Sequence, residues 1–348
     1  MMRVCVRFGR FIGFLFAALL GFNGPLNSSP VLAGILDDVR ARGHLECGVS
    51  DEAPGLSVAD DRGRWSGLGV DFCRGLAAAV LGSKEAVKFN ALRPTDRIKA
   101  LKSGAVDVLA GSTPWTLSFD SDLGIRFAGV LFYDGQGFLV RRADVVSSVL
   151  ELSGSSICVT SGISAEQALE DFFKSRQMKY QAVVSGKWAD LVKAYEGNSC
   201  TVLTGEISAL AYERSLLTRP SDHILLPEIV SKEPLGPVVR IGDDQWFSIV
   251  RWTLMALLSA EELGVGSGNA EVMRSSKLLD VKRLLGIEGN LGESLGLKAD
   301  WAFQAIRQVG DYGEMFERNF GAKSGMRLDR GFNQLWTKGG LMFAAPLR

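Results

Sequence analysis

An alternating strand pattern gives way to a helical one twice in the same order, and that restart constrains this chain more than any other feature. After a short helical stretch at residues 35–42, His44-Leu45-Glu46-Cys47-Gly48-Val49 alternates as a half-buried strand does. Residues 70–81 then repeat apolar side chains at helical spacing, and residues 87–92 read as a second strand. Residues 97–102 follow as a helix stopped by Gly104. Val106-Asp107-Val108-Leu109-Ala110 is a third strand, emptying into Gly111-Ser112-Thr113-Pro114-Trp115-Thr116. A β-α-β-α-β order is the signal of a parallel sheet.

The second pass repeats the first. Residues 137–141 are apolar and extended, residues 156–160 form a strand, and Ser161-Gly162-Ile163-Ser164-Ala165-Glu166 opens a helix that runs to about Arg176. A strand near residues 181–184 and a helix over 187–195 lead to Cys200-Thr201-Val202-Leu203-Thr204, which ends at Gly205-Glu206. Residues 228–240, with Pro234 and Pro237, suit an extended return, and residues 246–258 form a strongly amphipathic helix. The remainder reads as helical and is expected to pack back on the first lobe. The expected fold is therefore α/β with two lobes, each a mostly parallel sheet flanked by helices. Lobe 1 is discontinuous, residues 34–139 and 236–348, and lobe 2 is residues 140–235. Strand ends and helix starts then face one cleft, a geometry for trapping a small ligand by hinge closure.

Arg3, Arg7 and Arg10 precede an apolar run over residues 11–22, and the small residues Val31 and Ala33 stand two apart. This is the layout of a signal peptide over residues 1–33, cleaved near Ala33, and it directs the chain to the periplasm. No cysteine follows the expected cut, so a lipid anchor is not expected, and no later stretch approaches membrane-spanning length. Lys plus Arg and Asp plus Glu both number 39, so no basic excess is available for nucleic acid. Cys47, Cys73, Cys158 and Cys200 remain after the leader. Four cysteines allow three pairings; Cys47 with Cys73 and Cys158 with Cys200 each close a modest loop inside one lobe and are the expected pairs. A zinc site would want close cysteine or histidine spacing, and His44 and His223 are the only histidines, so neither metal nor cofactor is expected.

Several segments together resemble the periplasmic general L-amino-acid-binding proteins of ABC importers, which are type II periplasmic binding proteins of solute-binding protein family 3. They are Leu45-Glu46-Cys47-Gly48-Val49, residues 67–74 and 104–110, Tyr133-Asp134-Gly135-Gln136-Gly137-Phe138, residues 226–237 with Gly242-Asp243-Asp244-Gln245-Trp246-Phe247, and Tyr312-Gly313-Glu314-Met315-Phe316-Glu317-Arg318-Asn319. The resemblance covers nearly the whole chain after the leader. It implies a monomer that hands a small amino-acid-like ligand to a permease in the inner membrane.

The resemblance also implies where the ligand sits. An α-carboxylate asks for a cation and for amides at a helix start, and an α-ammonium asks for an acid. In the family, the loop after the third strand supplies hydroxyls and ends in an arginine that grips the carboxylate. Here Ser112, Thr113, Trp115 and Thr116 form that loop, and Phe119 stands at the arginine position. Arg126 lies farther on and would have to swing back, while Arg93 and Arg97 read as solvated helix residues. Gly162, Ile163 and Ser164 offer helix-start amides, with simple capping by Ser161 as the plainer account. Glu206 falls where the family has an aspartate for the ammonium, and Leu56 where it has a covering ring. Asp51 and Glu52 lean the cleft mouth toward acid. The expected ligand is thus an amine-bearing or modified amino-acid-like solute.

Two other classes share the fold. A sensor or interaction protein with a lapsed pocket fits the loss of the arginine, and a periplasmic enzyme would need a partner for Glu206. No nucleophile motif or phosphate loop is present, and no catalytic activity is expected.

Overall fold

The computed structural model describes residues 34–50, 53–122 and 124–348. The expected signal peptide over residues 1–33, with its cleavage near Ala33, lies outside the described residues, as do Asp51 and Glu52. In chain order the first elements are Ile35–Arg42 (α1), Leu45–Val49 (β1), Val58–Ala59 (β2), Trp65–Ser66 (β3), Leu68–Leu81 (α2), Val87–Ala91 (β4), Arg97–Ser103 (α3), Val108–Leu109 (β5), Leu117–Asp122 (α4) and Ile125–Phe127 (β6). Phe132–Asp134 (β7) leads into Gln136–Arg141 (β8), Ser156–Thr160 (β9), Ile163–Ser175 (α5), Gln181–Ser185 (β10), Trp188–Glu196 (α6), Val202–Glu206 (β11), Ile207–Leu216 (α7) and His223–Leu225 (β12). The chain returns through Glu233–Leu235 (β13) and Val238–Arg240 (β14) into Asp244–Glu262 (α8). It continues with Ala270–Met273 (α9), Leu279–Leu284 (α10), Leu291–Ser294 (α11), Trp301–Val309 (α12) and Tyr312–Asn319 (α13).

Two five-stranded sheets share one plan. The first runs β4-β1-β5-β14-β6 and the second β10-β9-β11-β8-β12. In each, the strand in fourth place is antiparallel to both of its neighbours and the other pairings are parallel. The sheets are therefore mixed. The antiparallel strand of the first sheet, β14, comes from the returning chain, and that of the second, β8, from the outgoing chain. Between the sheets the two crossings pair as a ribbon, β7 with β13, in the register Glu233↔Asp134, Pro234↔Tyr133 and Leu235↔Phe132.

Helix boundaries follow from local chemistry. Gly104 closes α3 in the left-handed region at φ 79°. Asp243 caps α8 by accepting from Trp246 N at 2.7 Å, and Asp311 with Glu314 forms a capping box on α13. The largest core packs α2, α8 and α12 around Phe72, Leu76, Trp246, Leu257 and Ile306, all fully buried. The opposite face of the first sheet is covered by a smaller cluster of Leu101, Val106, Leu109, Ile125, Phe127 and Val238. The second sheet has one cluster on each face, around Phe138 and Phe173 and around Tyr195 and Leu203. Cys47 of β1 is bonded to Cys73 of α2, and Cys158 of β9 to Cys200 just ahead of β11, as expected.

The last segment departs from the helical expectation. Beyond Asn319, residues 320–348 hold only two short 3-10 turns, Gly331–Asn333 and Trp336–Lys338. Gly321, Gly325, Gly331, Gly339, Gly340 and Pro346 interrupt any helical repeat there. This strap reaches the ribbon. Buried Asn333 accepts from Tyr133 N at 2.7 Å and donates to Tyr133 O at 3.0 Å. It also touches α7, where Arg214 donates to the Met326 and Arg327 carbonyls at 2.6 and 3.0 Å.

Candidate functional site

At the carboxyl ends of β9 and β11 lies a cavity of about 680 Å³, lined by Thr160, Gly162, Ser164, Trp188, Gly205, Glu206, Tyr212 and Glu213 of the second sheet's layer. Gln136, Ser231 and Glu233 close its ribbon side, and Pro54 and Val58 reach it from the loop after β1. Parallel strand ends leave unpaired backbone groups beside helix starts, which is why polar ligands settle there.

Glu206 ends β11 and occupies the cap position of α7, where the amide dipoles favour a negative charge. Its side chain is exposed to the cavity. One step inward, Asp134 is 5% exposed and accepts from Ser208 Oγ at 2.5 Å, Gly135 N at 2.9 Å and Ser208 N at 3.3 Å. Burial nevertheless pushes its carboxyl up to about 6, with the Glu206 charge acting in the same direction and the hydrogen bonds opposing. Glu233 faces Asp134 across the ribbon. Burial first, and then the charges of Glu206 and Asp134, push Glu233 up to about 7 against the Ser231 hydroxyl. The cavity thus holds Glu206, Glu213 and Glu233 in its wall and Asp134 just behind it, and a cation placed beside Glu233 and Asp134 would favour their ionisation.

An aromatic wall completes the site. Trp188 donates from Nε1 to Glu213 at 2.9 Å, and its ring lies over Gly205 so closely that a Cβ there would stand 2.7 Å from a ring carbon. Glycine at 205 is what allows the ring to cover the strand end.

Gly162, Ser164 and Glu206 line this cavity together, and Ile163 begins α5 between the first two. Gly162, rather than Ser161, holds the cap position of α5, and its N–H donates to the Glu166 carboxylate at 2.9 Å, so this expected anion seat already has an acceptor. The loop of the first lobe lies apart from the cavity lining. Ser112 is held through its carbonyl by Arg97 Nη1 at 2.6 Å, so Arg97 supports the loop rather than standing free in solvent. Thr113 is buried, and its hydroxyl has no hydrogen-bond partner among the described residues. Trp115 stacks on Phe127 at 5.2 Å and donates its N–H to Pro234 O at 2.8 Å, which ties the loop to the ribbon beside Glu233. Thr116 accepts from Phe119 N at 3.4 Å in the first turn of α4. Phe119 is half-buried against the cluster around Leu101 and Phe127. Leu56 is buried in the large core, between Pro54 and Val58, which do line the cavity. Arg126 is bonded to Asp244 at 2.8 Å and lies over the Phe247 ring at 4.6 Å, so it does not replace a missing arginine here; Arg93 pairs with Asp96 at 2.8 Å.

Among the described residues no group of three His, Cys, Asp or Glu side chains could hold a metal ion, and no helix is long and apolar enough to cross a membrane.

With two like-built sheets joined by a ribbon and a polar cavity at the strand ends, the family profile of the bacterial extracellular solute-binding proteins, family 3, matches residues 45–322. The chain belongs to this family. The family-3 protein is 46% identical over 325 residues to the general L-amino acid-binding periplasmic protein AapJ of Rhizobium johnstonii, covering 93% of this chain and 95% of that one. It is 45% identical over 317 residues to the glutamate/glutamine/aspartate/asparagine-binding protein BztA of Rhodobacter capsulatus, with 91% and 94% covered. Among solved structures, an ABC transporter/periplasmic binding protein from Brucella ovis with glutathione bound superposes with a TM-score of 0.79 at 45% identity, covering 91% of this chain and all of that one.

Sequence reasoning passed over Glu233, Asp134, Trp188 and Tyr212. Glu233 sits in the stretch over residues 228–240 that reads as an extended return, with no signal of its own, and the ribbon register is what brings it opposite Asp134. Trp188 carries one signal in hindsight, a tryptophan opening a helix whose neighbouring strand ends in glycine.

Proposed function

We propose that this protein is the periplasmic solute-capturing component of an amino-acid-type ABC importer and that it takes an amine-bearing, amino-acid-like solute. One observation carries the ligand reading. The cavity wall holds Glu206, Glu213 and Glu233 and neither lysine nor arginine, so its field selects cations. Phe119, at the position where the resembled family grips a carboxylate, fits the same selection. The relatives of known name bind amino acids, and the Brucella ovis protein holds glutathione; each of these ligands has an ammonium group for the acids to hold, with an α-carboxylate beside it.

Capture works by bending at the ribbon. Among the described residues β7 and β13 are the paired strands that connect the sheets, which supports a hinge there, and rotation about it carries the 112–119 loop toward Glu206. The ligand's ammonium then lies against Glu206 and Glu233, its backbone against the start of α5, and the closed form docks on the permease.

A thermal-shift screen of common L-amino acids against their amides and other primary amines tests this on wild type and Phe119→Arg, because a ligand that binds the native state raises its melting point. Amines and amides should stabilise the wild type more than the parent amino acids do. The Phe119→Arg variant should gain response to ordinary amino acids, by roughly ten- to a hundredfold in affinity for one restored charge-assisted contact. Tight binding of common L-amino acids by the wild type would sink the reading.

A further inference from the structure

A second cavity, of about 620 Å³, runs between α2 and the α12–α13 pair. Pro54, Val58 and Tyr212 line both cavities, so the two adjoin at these residues. Their charges differ. The second is lined by Arg74, Lys84 and Arg318 against Asp71 and Glu85.

Asp71 is 6% exposed and already satisfied, since it accepts from Arg318 Nε at 3.0 Å, Arg318 Nη2 at 2.8 Å and Asn319 Nδ2 at 2.7 Å. That bond fixes the Arg318 guanidinium in place while its side chain stays 45% exposed. Arg74 is held beside it, donating to Trp65 O at 3.0 Å with its head 3.6 Å from Asp71. Arginines anchored by a buried partner and still open to a cavity are preorganised to receive a carboxylate.

An α-amino acid carries its ammonium and carboxylate on one carbon and cannot place one in the acidic cavity and the other on the Arg74–Arg318 pair of the second. A linear peptide advances about 3.3–3.6 Å per residue, so two or three residues separate its end charges by roughly 7–10 Å. We propose that the ligand class is a short linear peptide. Its N-terminal ammonium sits at Glu206 and Glu233, its chain passes Pro54, Val58 and Tyr212, and its C-terminal carboxylate is received by Arg318 and Arg74. A peptide has no carboxylate beside its ammonium, which accounts for the phenylalanine at 119. The proposal rests on the acidic-cavity reading above and adds the second end.

Isothermal titration calorimetry with trialanine, trialanine amide, L-alaninamide and glutathione tests it. Trialanine should bind the wild type at least tenfold more tightly than its amide, and in Arg318→Gln and Arg74→Gln that ratio should fall toward one while the amide's own affinity holds. Arg74→Gln keeps the Asp71–Arg318 pair intact and serves if the other variant fails to fold. Equal affinity of acid and amide for the wild type overturns the proposal. So does glutathione binding tenfold tighter than trialanine, since its γ-linkage leaves a carboxylate beside the ammonium. Binding of L-alaninamide without trialanine overturns the peptide class and leaves the acidic cavity standing; binding of none of the four overturns both.

Discussion

Glu233 is the side chain whose behaviour depends most on its neighbours. It stands opposite Asp134 in the ribbon register, and both carboxyls are raised, to about 7 and about 6, chiefly by burial, with the Glu206 charge raising both and the Asp134 charge adding to the rise at Glu233. A raised carboxyl holds its proton in the folded state after the unfolded chain has lost it. Its contribution to stability is thus present at low pH and is lost as pH rises through 6 to 7. Ligand binding runs the other way, because an ammonium favours the ionised acids. The affinity of L-alaninamide should therefore increase between pH 5.5 and 7, below the titration of its own amine, by at most about tenfold per unit for each proton released. Glu233→Gln should flatten that rise. Calorimetry in two buffers of different ionisation enthalpy checks the proton release, and a flat wild-type profile would contradict it. The sequence points to Glu206 through the family resemblance, at the position of the family's ammonium-binding aspartate, since an acid at a helix start is by itself an ordinary cap. Asp134 and Glu233 act through a pairing across about a hundred residues of chain, which no local pattern reports.

Among the elements, the C-terminal strap joins the ribbon to α7. Asn333 occupies both backbone groups of Tyr133 on the strand that connects the sheets, and Arg214 of α7 holds the strap's carbonyls. Asn333→Ala removes both bonds and leaves the half-buried N–H and C=O of Tyr133 without that partner, a cost of about 1–3 kcal/mol. Urea denaturation should show that loss in the midpoint with an unchanged slope. An unchanged midpoint would mean that water replaces the amide at no cost. The strand-helix alternation of residues 35–206 is readable because each element has a buried face and a period to match. The strap has no such period, and what places it is a scatter of contacts: Asn333 on Tyr133, Arg330 on Glu261, Arg214 on its carbonyls, and the buried side chains of Leu335 and Met342.

At the scale of the whole molecule, each sheet carries its own disulfide and neither bond crosses the ribbon. The bonds close separations of 26 and 42 residues, worth about 3.5 and 4 kcal/mol by loop entropy. The double replacement Cys158→Ala, Cys200→Ala should lower unfolding free energy by about 4 kcal/mol while amine affinity stays within a factor of two, because none of these residues lines either cavity. Denaturant titration beside calorimetry separates the two effects, and a large loss of affinity would instead couple the bond to the site. The two-sheet plan was visible in the repeat of the alternation. The antiparallel strand inserted in fourth place was not, because each sheet borrows it from chain on its way to or from the other.

The order of the cysteines has a consequence for how the chain is made. Of the four cysteines among the described residues, Cys47 pairs with Cys73 and Cys158 with Cys200, first with second and third with fourth. A polypeptide threaded amino end first through a translocation pore presents them in that order. An oxidase joining each new thiol to the one just before it makes the native bonds directly, so an isomerase is left with nothing to reshuffle.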